Sequence, residues 1–375
     1  MKKFVIKILI FLFPLLMFFG LPCYYLYRYD ENFNRLTLSD NQKERHLVGY
    51  LYNEGNYDYL KWNAINSDQK YTVISLGSSR VLQFRKEMFN DSFYNAGFAI
   101  SRVNEFLPFL KSLKKDNLPQ YLIISLDQWM FNYNWDKLEA QPNPDKWESA
   151  FQFTPKLFVI NAAWKDFFDG KFSKINPKKD GVVRVGLNAY VNDTGFRNDG
   201  SFFYGKQITK RLVNDSTMAD YKFRDTKERI NKGISRFEYG NNVNPKAIAE
   251  LKKLILFCKA NKIHLIAFLP PFSNEVNRYM QEQNKYEYMD KIYPAIYPLF
   301  AAFDMELYDF KQLSLVNSDD RETIDGFHGG EVTYLKILIE MLEKKSMLNK
   351  VSDLNSRKNE LKKRINNYTI YNTGN

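Results

Sequence analysis

Short apolar runs, rich in β-branched residues and ended by turn residues, recur through the middle of the chain. Runs of this length and composition predict strands that are buried on both faces. Between them, apolar residues recur every three to four positions, which predicts amphipathic helices. Strands alternating with helices indicate an α/β domain on a parallel sheet. The predicted strands are Tyr71–Gly77, Tyr121–Asp127, Ile263–Leu269 and Ala302–Leu307, and the predicted helices are Val103–Lys114, Pro245–Ala260 and Gly330–Lys345.

Two stretches break this alternation. Residues 29–70 are polar and predict a connector with at most one short helix. Residues 133–243 are rich in Asn, Gly, Asp, Lys and aromatic residues, and show no strand–helix rhythm. We interpret 133–243 as an insertion over the C-terminal edge of the sheet, where open α/β folds bind ligands. The predicted organisation is therefore an N-terminal segment (1–28), a connector (29–70), an α/β domain (71–345) and a polar tail (346–375).

The N-terminal segment predicts a transmembrane anchor. Ile8–Tyr27 is 20 residues long and uncharged, which is the length a helix needs to cross a bilayer. Three lysines precede it and three tyrosines mark its far end, so the positive-inside rule predicts a cytoplasmic N-terminus and an extracytoplasmic remainder. A cleaved signal peptide is the alternative, although the segment is long for one and no small-x-small cleavage site follows. Gly20-Leu21-Pro22-Cys23 differs from a lipoprotein box by its proline.

Composition narrows the possible partners. The 375 residues are 45% hydrophobic, which is enough for a sizeable core, and the net charge is +11. Over this length the charge is a mild bias, and no arginine-rich run alternates with aromatic residues, so we expect no nucleic-acid partner. An anionic membrane surface and an acidic polymer fit the charge equally well. The only cysteines, Cys23 and Cys258, lie far apart in sequence and predict neither a disulfide nor a metal site, and we expect no cofactor.

Two short segments carry the candidate chemistry. The first predicted strand ends in Gly77-Ser78-Ser79-Arg80, where a serine can stand at a tight turn before a helix. Asp325-Gly-Phe-His328 precedes the last predicted helix and contains one of only three histidines. Serine, histidine and aspartate are the parts of a catalytic triad, in which the aspartate orients the imidazole that takes the serine proton. His264 lies within an apolar strand and His46 lies in the connector, so neither is a candidate.

The order of these segments, with Asn95-Ala96-Gly97 between them, resembles the SGNH/GDSL hydrolase superfamily over about residues 71–345. The nearest likeness is to its membrane-anchored cell-envelope branch. That branch includes the teichoic acid D-alanine-transfer protein and partners of membrane-bound O-acyltransferases. The resemblance implies a flavodoxin-like three-layer α/β/α domain with a parallel sheet.

Matched by position to the family's motifs, the resemblance implies that Ser79 is the nucleophile. It also implies that Asp325 and His328 are the aspartate–histidine pair of the family's last motif. It implies an oxyanion hole formed by the N–H groups of Ser79 and Gly97. The Gly-x-Asn-Asp motif of the family is missing, and the chain reads Ser125-Leu-Asp-Gln-Trp-Met-Phe-Asn132 instead. Gln128 or Asn132 can supply the missing donor, or there is none.

These expectations leave two functions open. In the first, an anchored extracytoplasmic enzyme acts on an envelope polysaccharide as an acyl esterase or O-acyltransferase, through a Ser-His-Asp triad. In the second, the protein is a non-catalytic glycan-binding or assembly protein that partners a membrane-bound O-acyltransferase. The intact serine, histidine and aspartate favour the first reading, and the missing motif favours the second.

Overall fold

The computed structural model describes residues 2–31, 44–148, 157–175 and 180–371. The helices are α1 (Lys2–Arg28), α2 (Tyr57–Ile65), α3 (Phe106–Ser112), α4 (Leu157–Phe168), α5 (Leu187–Asn192), α6 (Lys206–Leu212), α7 (Arg224–Lys232), α8 (Pro245–Ala260), α9 (Asn274–Gln283), α10 (Tyr288–Ala301), α11 (Glu331–Glu343) and α12 (Leu354–Lys362). The strands are β1 (Arg45–Val48), β2 (Val73–Gly77), β3 (Phe93–Gly97), β4 (Tyr121–Ser125), β5 (Val182–Val185), β6 (Gly195–Phe196), β7 (Phe202–Phe203), β8 (His264–Leu269) and β9 (Glu306–Asp309).

A five-stranded sheet carries the main domain. Its order is β3-β2-β4-β8-β9, and every neighbouring pair is parallel. Alternate residues of each strand enter two separate apolar cores, since Ile74 and Leu76 join one cluster and Val73 joins the other. The predicted parallel sheet is therefore confirmed. Three predicted strands match β2, β4 and β8, the fourth starts at Glu306, and β3 was not predicted.

Local sequence explains where the helices begin and end. Pro245 occupies the first turn of α8, and the Asn244 side chain caps it by accepting the Lys246 N–H, so α8 covers the predicted Pro245–Ala260. Helix α11 covers most of the predicted Gly330–Lys345. The predicted helix over Val103–Lys114 is shorter, because a 3₁₀ turn at Val103–Glu105 precedes α3.

A second, four-stranded sheet was not predicted. Its order is β5-β1-β6-β7, so it joins the connector to the insertion. Strand β1 pairs in parallel with β5 and antiparallel with β6. The connector is thus part of a folded unit over its described residues, while residues 32–43 of it lie outside the described part of the chain.

Helix α1 is the one described helix that is long and apolar enough to cross a membrane. A buried carboxylate joins its C-terminal end to the folded domain. Glu31 Oε1 accepts the backbone N–H groups of Leu51 and Tyr52, at 2.5 and 2.7 Å, and Oε2 accepts that of Leu187 at 2.7 Å. Burial raises the pKa of Glu31 to about 7, against the lowering effect of these N–H donors. The end of α1 is therefore fixed to both the connector and the insertion.

The start of α11 is held by a buried charge network. Glu331 Oε1 lies 2.6 Å from Arg85 Nη1 and 3.0 Å from Arg197 Nη2. Its other oxygen, Oε2, accepts the N–H groups of Ile370 and Tyr371 at 2.9 and 3.2 Å. The segment predicted as a polar tail therefore packs against the domain, and Ile370 is buried.

Candidate active site

The nucleophile candidate stands on a turn at the end of β2. Gly77 ends the strand at a place with no room for a side chain, because a Cβ there would lie 2.4 Å from Ser125 Oγ. Ser78 then caps a 3₁₀ turn over Ser79–Val81 by accepting the Arg80 N–H at 3.1 Å. Ser79 is the first residue of this turn and is half-buried. The turn thus places its hydroxyl at the carboxyl edge of the sheet.

The histidine candidate lies on a tight loop before α11. The Ile324 N–H donates to the His328 carbonyl at 2.7 Å and closes the loop. Inside it, Asp325 Oδ1 accepts the backbone N–H groups of Phe327 at 2.7 Å and His328 at 2.8 Å. This side-chain turn is a common use of Asp, and it presents the aspartate and the histidine on the same side of the loop.

The two loops meet. Ser79 Oγ lies 2.8 Å from His328 Nε2, and His328 Nδ1 lies 2.9 and 2.8 Å from the two Asp325 oxygens. A carboxylate beside Nδ1 requires that nitrogen to carry a hydrogen, which leaves Nε2 to accept the serine hydroxyl. Burial acts to raise the pKa of Asp325, but His328 and the loop N–H groups outweigh it and hold the pKa below its usual value. The three predicted residues therefore form a Ser-His-Asp arrangement.

The insertion braces the histidine loop from the other side. Asp220 Oδ2 accepts the Gly326 N–H at 3.0 Å and the Thr226 hydroxyl at 2.6 Å. The Gly326 carbonyl accepts the Ser273 N–H at 3.2 Å. A Cβ on Gly326 would lie 2.7 Å from Thr226 Oγ1, so only glycine fits there without a shift. The loop is thereby fixed by contacts on both of its flanks.

The predicted oxyanion donors differ in whether they are already hydrogen-bonded within the protein. The Gly97 N–H donates to Asn95 Oδ1 at 2.8 Å, at the end of β3 rather than in a loop. Gln128 Nε2 donates to the Pro270 carbonyl at 2.8 Å, and Asn132 Nδ2 donates to the Glu238 carbonyl. In the described part of the chain, no acceptor is assigned to the Ser79 N–H. Of the two predicted backbone donors, the Ser79 N–H is therefore the one left for a ligand.

A buried arginine behind Ser79 was not singled out by the sequence reasoning. Arg80 Nη1 donates to Gln128 Oε1 at 2.9 Å, and Nη2 donates to the Pro271 carbonyl. Arg80 Nε lies 4.0 Å from Asp127, and both side chains are fully buried. Burial raises the pKa of Asp127, opposed by the charge of Arg80. Arg80 thus ties the nucleophile turn to the ends of β4 and β8, through contacts that its position directly after the Ser-Ser pair does not reveal.

Aromatic and basic side chains of the insertion approach the histidine loop and the neighbouring Trp129. The Tyr204 ring centroid lies 6.1 Å from that of His328. The Arg229 guanidinium lies 5.4 Å from the Phe327 ring centroid, and that of Arg236 lies 5.1 Å from the Trp129 ring. The Phe327 and Trp129 rings are themselves 5.9 Å apart. Tyr204, Arg229 and Arg236 lie apart in a segment without periodicity, so no pattern in the sequence predicts that they converge.

The two remaining histidines lie elsewhere. His264 Nε2 is 2.7 Å from Glu306 Oε1, at the opposite end of β8 from the candidate site. His46 lies in β1 and its Nδ1 is 2.9 Å from the Glu44 carbonyl.

Neither a protein-family model nor a curated protein matches this chain.

Proposed function

We propose that this protein is a membrane-anchored, extracytoplasmic serine acyl esterase or O-acyltransferase of the SGNH type, acting on a cell-envelope polysaccharide. The observation that carries the proposal is the continuous contact from Ser79 through His328 to Asp325. The separation of Ser79 and His328 is within the hydrogen-bond reach that an activated nucleophile requires. The anchor, the envelope location and the polysaccharide belong to the same proposal, supported by the apolar helix α1 and by the sequence resemblance.

The contacts define the first half of the reaction. His328 Nε2 takes the Ser79 hydroxyl proton as the oxygen forms a bond to the acyl carbonyl carbon. The negative charge that develops on the carbonyl oxygen is stabilised by the Ser79 N–H. Asp325 keeps the imidazole in the required tautomer and stabilises its positive charge. His328 then returns the proton to the departing group, and the acyl group remains as an ester on Ser79.

The second half of the reaction decides whether the enzyme is an esterase or a transferase. His328 removes a proton from an incoming hydroxyl, whose oxygen forms a bond to the acyl carbon. His328 then returns the proton to the Ser79 oxygen as the bond between that oxygen and the acyl carbon breaks. Water as the attacking group gives hydrolysis, and a sugar hydroxyl gives acyl transfer. We assign control of this choice to the insertion, because its Tyr204 and Phe237 rings lie beside His328 and Phe327.

The finer description of the fold is part of this proposal. In a flavodoxin-like three-layer domain, helices cover both faces of a parallel sheet. The two separate apolar clusters support that arrangement, since α8 and α10 contribute to one and α11 contributes to the other. The site then lies at the carboxyl ends of β2 and β4, where such folds bind ligands.

A non-catalytic role is the second candidate, and one observation favours it. The Gly97 N–H is engaged within the protein, and so is one N–H of each of the Gln128 and Asn132 amides. Loss of one oxyanion donor typically costs about 3 kcal/mol of transition-state stabilisation. With a weak oxyanion hole, the same site would hold a glycan or dock an acyltransferase partner without turning substrate over.

Reaction with a fluorophosphonate separates the two candidates, because this reagent phosphonylates an activated serine without needing the natural substrate. The full-length protein in detergent micelles should gain one adduct, and peptide mapping should place it on Ser79. Hydrolysis of p-nitrophenyl acetate, measured on the same sample, should be abolished by the adduct.

Two variants serve as controls. Ser79→Ala should remove both the adduct and the hydrolysis, while Ser78→Ala should keep both because the hydroxyl in contact with His328 Nε2 is that of Ser79. Absence of labelling in the folded wild-type protein would reject the enzyme and leave the binding role. Labelling that survives Ser79→Ala and is lost in Ser78→Ala would move the nucleophile by one position.

A further inference from the structure

Helix α4 in the insertion leaves an apolar stripe uncovered. Leu157 is 65% exposed and Phe168 is 77% exposed, values unusual for large apolar side chains. With Trp164 they follow a spacing of seven and four residues, which places all three on one side of the helix. Phe158, beside this stripe, is 59% exposed. The opposite side is turned inward, where Val159, Ile160 and Ala163 are buried.

One member of the stripe, the half-buried Trp164, contacts the candidate membrane helix. Trp164 Nε1 donates to the backbone carbonyl of Phe18, in α1, at 2.8 Å. Phe18 precedes Arg28, the last residue of α1, by ten positions, which is about 15 Å along a helix axis. About half of a typical hydrocarbon thickness therefore separates this contact from the end of α1.

Further contacts fix α4 in this position. The Tyr25 ring of α1 stacks on Phe172, just after α4, with centroids 4.3 Å apart. On the inward side, Asp166 accepts the Tyr52 hydroxyl at 2.7 Å and pairs with Lys171 at 2.5 Å. Helix α4 is thus held between α1 and the folded domain, so the exposed stripe lies on a helix whose position is fixed.

We propose that α4 is a second membrane-contacting element, whose stripe of Leu157, Trp164 and Phe168 is immersed in lipid beside α1. We assign the bilayer as the partner of this stripe because the stripe adjoins α1. The apolar part of α1 is itself exposed on the surface of the protein. Tryptophan and phenylalanine on one face are the residues by which interfacial helices hold to a bilayer. The proposal concerns the insertion and does not depend on the chemistry at Ser79.

Membrane fractionation cannot test this, because α1 alone would retain the chain. A fluorescent label sensitive to polarity should instead be attached to Phe168→Cys in a full-length background with Cys23→Ser and Cys258→Ala. The protein is reconstituted into vesicles of phosphatidylcholine and phosphatidylglycerol, with and without nitroxide-bearing lipid. We expect a blue-shifted emission that lipid nitroxide quenches and aqueous iodide does not. The same result is expected for Leu157→Cys.

The matched control is Val213→Cys, an apolar position that is 71% exposed and follows α6. Its label should be quenched by iodide and not by lipid nitroxide. Equal behaviour of the Phe168 and Val213 labels would reject the proposal. A Phe168 label shielded from both quenchers would also reject it, since a second copy of the chain or a protein partner would then cover the stripe. Thermal unfolding of each labelled variant, compared with the unlabelled background, verifies that it is folded.

Discussion

Asp325 has two structural tasks at once. One of its oxygens accepts two loop N–H groups, and both oxygens lie within 2.9 Å of His328 Nδ1. The residue that orients the imidazole is therefore also the one that shapes the loop carrying it. Removing the Asp325 carboxylate would disturb the position of His328 as well as its charge, so its loss should not be read as an electrostatic effect alone.

Residues of a triad act as a unit, which makes their effects non-additive. Ser79→Ala and His328→Ala should each lower kcat/KM for p-nitrophenyl acetate by roughly a thousandfold or more, and the double variant should lose no more than either. Asp325→Ala should lose a similar amount or less, because aspartate orients rather than reacts. Steady-state kinetics of the full-length protein measure all four variants.

Ser78→Ala is the control for this series, and we expect only a mild loss of activity because Ser78 caps the turn. If the losses of Ser79→Ala and His328→Ala multiplied in the double variant, the two residues would be acting independently and the triad mechanism would be wrong.

At the scale of elements, α11 depends on the buried network at its first residue. Glu331→Ala would leave Arg85 and Arg197 without their shared carboxylate in the interior. Breaking a buried pair by removal of one partner typically costs about 3 to 5 kcal/mol. We expect a loss of that order in the free energy of unfolding, measured by chemical denaturation followed by tryptophan fluorescence.

The control for Glu331→Ala is Glu343→Ala on the same helix. Glu343 pairs with Lys358 at the surface, where ion pairs contribute at most about 1 kcal/mol. Equal losses for the two variants would show that the buried network contributes no more than a surface pair.

Glu31, at the junction of α1 and the domain, should make stability depend on pH. Its pKa is about 7 in the folded protein, against an ordinary value of 4.5. The folded state therefore binds more protons between these values, and stability should fall as pH rises through that window. A shift of this size corresponds to at most about 3 kcal/mol. Glu31→Gln should lack this pH dependence, although its amide cannot replace all three hydrogen bonds.

The measurement is the thermal midpoint in detergent at pH 5 and pH 8, for wild type and Glu31→Gln. Glu148→Gln, at an exposed carboxylate, should keep the wild-type difference. An identical pH response in wild type and Glu31→Gln would show that Glu31 is already ionised at low pH in the folded protein.

At the scale of the whole molecule, the side of the membrane on which the domain lies is a prediction from charge. Alkaline phosphatase fused after residue 40 should be active, because the enzyme folds only outside the cytoplasm, and a green fluorescent protein fused at the same point should be dark. Inactive phosphatase with bright fluorescence would reverse the topology. Release of the domain from membranes by alkaline carbonate would favour a cleaved signal peptide instead.

Much of the main sheet could be read from the sequence because each buried strand is a compact run with its own turn signal. Strand β3 was not predicted because Asn95 interrupts the apolar run of Phe93–Gly97, so the segment has the composition of a loop. The second sheet was not predicted because its strands are only two to four residues long. They also pair with residues that are far away in the sequence, as His46 does with Val183. Pairing of this kind leaves no local pattern.

The candidate site, like the fold, could be predicted from the sequence only in part. Ser79, Asp325 and His328 lie in short motifs beside predicted elements, and the structure brings those three together. The roles of Asp220 and Arg80 could not be predicted, because each depends on a contact across the chain. Gly97, Gln128 and Asn132 were inferred by position, and the partners that engage their donors are visible only in three dimensions.

The contact between Ser79 and His328 joins positions 249 residues apart. The loop that carries His328 leads into Glu331, whose carboxylate is itself satisfied by the backbone of Ile370 and Tyr371. A chain is synthesised from its N-terminus, so Ser79 leaves the ribosome 249 residues before His328. A nascent or truncated chain that stops before His328 would therefore carry the serine without its base. The backbone groups that satisfy Glu331 come later still, so the triad would be held in place only after residues up to about position 371 had been made.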